Sequence, residues 1–229
     1  MSKTVLITGA NRGIGLAFTA HYVKQGWKVI ASARNLDAAD ELKALAPWKL
    51  LQVDTANEQS ILDAAKAVEG EPIDLLINNA GLLTSLGLNE ATKEDLIRQF
   101  EVNAVGPFLA TRAFLPNLKL AVQAKGEAFV AQLTSRMGSI HDNTSGGYYG
   151  YRSSKTALNM ISTSLAKDLA PEKIGVLLLH PGHVQTEMVG YTGNATPDES
   201  VVRVTKMIEN ATLEDSGKFQ HCEGYVLPW

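Results

Sequence analysis

The 229-residue sequence predicts an α/β fold, a doubly wound parallel sheet of about seven strands with helices on both faces. Two observations carry this. Short, near-continuous apolar runs recur along the chain, which is the character of strands buried on both sides. Each run is followed by a stretch with helical spacing of apolar residues, as right-handed crossovers require. A third observation, a glycine cluster directly after the first run, marks the end of the sheet where a ligand would bind.

The elements follow in order. Thr4–Thr8 is the first strand. Arg12–Gln25 is a helix packed through Ile14, Leu16, Ala17, Phe18 and Val23, and Gly26 ends it. Lys28–Ala33 is the second strand, Asp37–Ala46 a short helix stopped by Pro47, and Lys49–Val53 the third strand. Asn57 caps a helix over Asn57–Glu69, and Ile73–Asn78 is the fourth strand. Thr92–Gln123 reads as two helical segments bent near Pro116. Ala128–Ser135 is the fifth strand, Tyr151–Leu169 a long helix, and Ile174–His180 the sixth strand. Glu199–Ala211 is the last helix, and Lys218–Leu227 supplies a final strand.

Composition narrows the function. Lys and Arg number 21 against 24 Asp and Glu, so the chain lacks the basic face that nucleic acid demands. There is no linker, repeat or low-complexity tract, and residues 1–229 read as one domain. The lone cysteine, Cys222, excludes a disulfide framework or thiolate-rich metal site and reads as a small buried apolar residue. His141 and His183 have no ligand-spaced partners, so no metal is expected. No apolar run approaches the ~18 residues of a membrane span. The run Val5–Ile7 is too short for a signal-peptide core, so the expected compartment is the cytoplasm.

The segment Thr8-Gly9-Ala10-Asn11-Arg12-Gly13-Ile14-Gly15 lies between the first strand and the first helix. Glycines 9, 13 and 15 permit a tight turn and close approach to a pyrophosphate, and the helix start offers free N–H groups. The spacing is neither G-x-G-x-x-G nor that of a P-loop. Its position within a strand–helix–strand unit nevertheless points to a Rossmann-type dinucleotide fold. The second strand ends at Ala33-Arg34, where an acidic residue would favour NAD. Arg34 and Arg12 instead flank the two cofactor-facing loops, and paired guanidinium groups suit a 2′-phosphate, favouring NADP(H) over NAD(H). Either arginine alone would read equally well as a solvated surface residue.

With these motifs the chain resembles the short-chain dehydrogenase/reductase family along essentially its whole length. The glycine loop has the family's TGxxxGIG form, and Asn78-Asn79-Ala80-Gly81 its NNAG motif. Tyr151-Arg152-Ser153-Ser154-Lys155 is a YxxxK motif, and Pro181-Gly182 with Thr186 matches the segment after the sixth strand. Asp54, Asn103 and Ser135 stand at the family's remaining positions. The stretch GGYYGYRSSKTALNM and the LPW ending are similar to the C-factor- and sniffer-type carbonyl reductases.

The resemblance implies a cofactor cleft formed by Gly9, Asn11, Arg12, Gly13, Ile14, Gly15 and Arg34. It adds Asp54 at the adenine, then Asn79, Ala80 and Gly81, and finally Pro181, Gly182, Val184 and Thr186. Tyr151 is implied as the proton donor, and Lys155, four positions on and so on the same helix face, is expected to lower its pKa together with the positively charged nicotinamide and to hold the nicotinamide ribose. Ser135 is implied to hydrogen-bond the substrate oxygen, with Ser139 the alternative on spacing. Asn103 is implied to hold a water that relays protons through Lys155. Substrate walls are expected from Leu82, Leu83, Met137, Met188 and Val189, with a short lid after Pro181-Gly182 and a fairly open pocket for a small-to-medium apolar carbonyl or the corresponding alcohol. A non-catalytic NADP(H)-binding sensor or signalling protein stays open as the alternative, and a homodimer or homotetramer built on the long helices is compatible with the sequence.

Overall fold

The computed structural model describes residues 2–229. Seven parallel strands form one sheet in the order β3-β2-β1-β4-β5-β6-β7. They are β1 (Thr4–Ile7), β2 (Lys28–Ala33), β3 (Lys49–Gln52), β4 (Leu75–Asn78), β5 (Ala128–Leu133), β6 (Ile174–His180) and β7 (Phe219–His221). The helices are α1 (Gly13–Lys24), α2 (Asp40–Ala44), α3 (Glu58–Ala67), α4 (Lys93–Phe100), α5 (Gly106–Ala113), α6 (Leu115–Lys125), α7 (Tyr149–Leu169) and α8 (Pro197–Asn210).

The apolar runs are buried on both faces because helices cover both. On one side Phe18 and Tyr22 of α1 and Val201, Val204 and Ile208 of α8 pack on Val5, Ile7, Val29 and Ala31. On the other, Ile61, Ala110, Leu118 and Leu165 from α3, α5, α6 and α7 pack on Leu6, Ile30, Leu76 and Val130. β1 lies between β2 and β4, so the chain winds outward one way and then returns to wind the other. The crevice beyond the carboxyl ends of β1 and β4 is the switch point at which such sheets bind ligands.

Several boundaries differ from the sequence expectation for identifiable reasons. β4 starts at Leu75 rather than Ile73. Before it, the Ile73 N–H goes to the Asn117 carbonyl (3.1 Å) and the Asp74 carboxylate takes the Thr4 N–H (2.6 Å). The region expected as two helical segments contains four: α4, a π turn at Glu101–Val105, α5 and α6. The break near Pro116 is present, and both Pro107 and Pro116 sit in first turns, where a missing N–H leaves no partner wanting. α8 starts two residues early because Thr196 and Glu199 form a reciprocal capping box around Pro197. α7 likewise starts at Tyr149, and α2 covers only Asp40–Ala44. The final strand is three residues long, after which the tail folds back through an antiparallel bridge between Gln220 and Val226.

Candidate active site

The glycine turn is built by close contact. Gly9 has φ +64°, and a Cβ there would lie 2.9 Å from the Ala80 Cα. A Cβ on Gly15 would lie 2.1 Å from the Gly9 carbonyl oxygen, so only glycine lets α1 begin this close to the turn. The first turn of α1 has no acidic residue and no side-chain cap, which leaves its N–H groups and positive dipole end facing the crevice. That donor set, in a cradle that any side chain would fill, fits a dinucleotide pyrophosphate.

Thr8 and Asn79 fasten this turn to the end of β4. The Thr8 hydroxyl oxygen accepts from the Asn79 N–H (3.0 Å) and the Ala80 N–H (3.1 Å). The Asn79 amide donates back to the carbonyls of Thr8 and Gly9, both at 3.0 Å. Thr186 closes the turn from the β6 side, its methyl 3.2 Å from where a Gly13 Cβ would stand. Gly182 has φ +88°, and the Pro181 carbonyl accepts from Ser200 (2.7 Å). Val184 is buried and bridges to Ala195, so any polar contact it offers is through its backbone. Asp54 is half-buried after β3 and one carboxylate oxygen accepts the Ala56 N–H (3.0 Å). Arg34 is exposed one residue past β2. Arg12, expected with it at a phosphate, forms an exposed ion pair with Glu187 of the segment after β6.

Asn103, Ser135, Tyr151 and Lys155 are brought together beyond β4 and β5, all buried. The Ser135 hydroxyl caps its own turn by accepting from the Met137 N–H (3.1 Å), and it lies near enough to Tyr151 to favour the phenolate. Ser139, the alternative serine, accepts instead from the Asp142 N–H (3.0 Å). The Lys155 ammonium nitrogen donates to the Leu133 carbonyl (2.8 Å) and lies 5.8 Å from the centre of the Tyr151 ring.

Burial dominates the electrostatics of the pair in the chain alone. Burial pushes the Tyr151 phenol up to about 12, against the smaller opposing effect of Ser135. Burial also brings Lys155 down to about 8. In the chain alone, burial therefore outweighs the lowering influence on the phenol. Desolvation disfavours both charged forms, and the ammonium is directed to a backbone carbonyl.

Asn103 lies within the π turn, and its amide is already engaged. Its oxygen accepts from the Leu82 N–H (2.7 Å), and its nitrogen donates to the Leu82 carbonyl (2.7 Å) and to Ser154 (3.0 Å). The side chain thereby ties α7 to the loop after β4. Of the expected pocket walls, Met188 is part-exposed and its methyl lies 3.8 Å from where a Gly81 Cβ would stand. Met137 lines a groove of about 540 Å³ with Ile140, Tyr149 and Met160, whose lining does not include Ser135 or Tyr151.

The model of the short chain dehydrogenase family matches residues 3–197. The chain belongs to the short-chain dehydrogenase family. Among curated relatives it is 35% identical to 1-hydroxy-2-glutathionyl-2-methyl-3-butene dehydrogenase of Rhodococcus sp. (strain AD45), over 99% of this chain and 100% of that protein. It is 42% identical to C-signal of Myxococcus xanthus, over 69% of this chain and 93% of that one. Among solved structures, the NADPH-bound carbonyl reductase from chicken fatty liver superposes with a TM-score of 0.93 at 33% identity, covering 100% of this chain and 99% of that one. The carbonyl reductase Sniffer of D. melanogaster gives a TM-score of 0.94 at 31% identity, with both chains fully covered.

Within this family architecture, three contributors were not singled out from the sequence. Thr8 was visible as the first letter of the glycine motif but was not assigned a role. Leu82 and Leu133 act through backbone groups, which carry no side-chain signal.

Proposed function

We propose that the protein is an NADPH-dependent carbonyl reductase, acting as a single domain on small-to-medium aldehydes or ketones. The observation that carries the reading is the convergence of buried Ser135, Tyr151 and Lys155 beside a glycine cradle that fits a dinucleotide. The carbonyl reductases with nearly the same fold support it, one of them with NADPH bound. The cradle residues Gly9, Asn11, Gly13, Ile14 and Gly15 would hold the pyrophosphate. Arg12 and Arg34 would meet the 2′-phosphate, Asp54 the adenine, and Asn79, Ala80, Gly81, Pro181, Gly182, Val184 and Thr186 the remaining walls. When bound, the reduced nicotinamide supplies the hydride.

The protein's share is orientation and proton chemistry. Ser135 would hydrogen-bond the carbonyl oxygen. The phenol, at about 12, is fully protonated at neutral pH, which is the state a donor needs. As negative charge develops on the substrate oxygen, the Tyr151 O–H bond breaks and the proton forms the new alcohol O–H. The phenolate left behind is stabilised by Lys155, which would also hold the nicotinamide ribose. Lys155, at about 8, is close enough to neutrality to pass a proton onward. Since the Asn103 amide is engaged, the main chain of its π turn is the group we assign to holding a relay water.

The test is NADPH oxidation against a panel of apolar aldehydes and ketones, with Tyr151→Phe as the control. Turnover should fall by about 10²–10⁴ in the variant while the dissociation constant for NADPH stays within about twofold. Wild-type turnover retained in Tyr151→Phe would remove the proton donor. The likeness to C-signal favours a second reading, a cofactor-binding signalling protein. NADPH binding without turnover across the whole panel, and without alcohol oxidation by NADP⁺, would favour it.

We also assign self-association to the α4 and α7 side, where Leu96, Ile97, Phe100 and Met160 are exposed. A dimeric or tetrameric mass by light scattering is the expected result, and a monomeric mass at working concentration would remove it. No helix among the described residues is long and apolar enough to cross a membrane.

A further inference from the structure

The helix α4 is inverted relative to its pattern. It leaves Leu96, Ile97 and Phe100 exposed and buries Gln99 completely. A buried amide must find partners, and this one does. Its nitrogen donates to the Thr84 hydroxyl and to Asp95 Oδ2 (2.9 Å), and its oxygen accepts from the Thr84 N–H (3.2 Å). The Thr84 hydroxyl in turn donates to the other oxygen of Asp95. Three residues on two elements are thus closed into one hydrogen-bonded unit.

That unit presses on the start of α7. A Cβ on Gly150 would stand 2.3 Å from the Gln99 amide nitrogen and 3.2 Å from Asp95 Oδ2, so Gly150 is where the two elements touch. The next residue is Tyr151. The entry to this turn is conformationally loaded as well. Gly146, Gly147 and Tyr148 all have positive φ, +65°, +66° and +52°, and for a tyrosine that region is unfavourable without outside support. The first turn of α7 also has no side-chain cap of its own.

We propose that Gln99, with Asp95 and Thr84, is a positioning clamp that sets Tyr151 and the substrate-facing loop 82–88 as one unit. The catalytic consequence rests on the reading of Tyr151 as proton donor; the clamp itself does not. Gln99 touches neither cofactor nor reacting atoms, and acts through Gly150 and Thr84. A displacement of the phenol by a fraction of an ångström is enough to impair a proton transfer that depends on close approach.

The experiment compares wild type, Gln99→Leu, Gly150→Ala, their double variant and the milder Thr84→Val. Readouts are kcat and KM for a carbonyl, the NADPH dissociation constant, and amide hydrogen exchange. Gln99→Leu and Gly150→Ala should each lower kcat about 10–100-fold and raise the carbonyl KM, with NADPH affinity within about twofold. Because both break the same contact, the double variant should be no worse than the poorer single one. Thr84→Val should shift kcat and KM the same way by a smaller factor, which keeps the test open if a larger change prevents folding. Exchange should quicken at residues 82–84 and 148–152 and stay unchanged in β1 and α1. A Gln99→Leu protein with kcat within twofold of wild type, multiplicative losses in the double variant, or unchanged protection at residues 148–152 would each overturn the clamp. Absence of turnover in the wild type would overturn the carbonyl-reductase reading instead, and the exchange pattern would still decide the clamp.

Discussion

Replacing Lys155 with methionine should make the cofactor-free protein more stable at neutral pH, although it removes a residue central to the proposed chemistry. Lys155 is 5% exposed and burial brings its ammonium down to about 8 from an ordinary 10.5. A group whose folded pKa lies below its unfolded one binds fewer protons when folded, so its penalty is complete below the folded value and fades as pH rises toward the unfolded one. The shift corresponds to a cost of about 3 kcal/mol at pH 7. Against this, the variant loses the hydrogen bond to the Leu133 carbonyl, worth about 1–2 kcal/mol with the acceptor left buried. The net gain at pH 7 is therefore about 1–2 kcal/mol. By pH 9.5 the charge penalty in wild type has dropped by about 2 kcal/mol, so the advantage of Lys155→Met should vanish or reverse. Urea unfolding of both proteins at pH 7 and pH 9.5 measures the difference directly. A variant less stable than wild type at pH 7, or a difference that does not change between the two pH values, would refute a strained, desolvated ammonium at this position.

Three further outcomes concern the cofactor side. Arg34→Ala should raise KM for NADPH about tenfold or more while leaving KM for NADH nearly unchanged, and equal effects on both would remove Arg34 from the 2′-phosphate. Glu187→Gln frees Arg12 from its exposed ion pair; NADPH affinity should rise severalfold more than NADH affinity, with the melting temperature within about 2 °C of wild type, as judged by titration and calorimetry. Gly15→Ala drives a Cβ against the Gly9 carbonyl at 2.1 Å, so it should cost about 2–4 kcal/mol and abolish cofactor binding; a variant with wild-type melting and binding would show that the turn is looser than described.

The sheet and its helices were legible because parallel strands buried on both faces leave apolar runs that little else produces. Tyr151, Lys155 and the glycine turn were legible because their spacing is dictated by one helix face and one tight turn. The features that stayed hidden depend on tertiary partners. Helical periodicity cannot distinguish an α turn from the π turn at Glu101–Val105, since only one extra residue is accommodated. The burial of Gln99 ran against its pattern, because the surface it meets is polar: Thr84, Asp95 and the bare backbone at Gly150. The direction of the Tyr151 shift was hidden for a similar reason. Sequence spacing shows that an ammonium is near, but not that both groups are desolvated or that the ammonium is directed to Leu133.

The strand ends show how the fold turns stability into a site. The sequence pattern carries β1 to Thr8, β3 to Val53 and β5 to Ser135, yet the strands stop at Ile7, Gln52 and Leu133. In each case the next residue still donates one ladder-like bond at 3.0 Å: Thr8 to Ile77, Val53 to Ala33 and Thr134 to Leu179. The chain then leaves the sheet. These residues are strand-like in composition and in their N–H bonding, and only the backbone beyond them is released. Release at the carboxyl ends lets the Thr8 hydroxyl gather the N–H groups of Asn79 and Ala80, and lets Ser135 approach Tyr151. A strand extended by two residues at β5 would hold Ser135 in the ladder and deny it that approach. The local ambiguity at these ends is therefore a property of the site itself, where a strand's last hydrogen bond fixes the position from which a side chain departs.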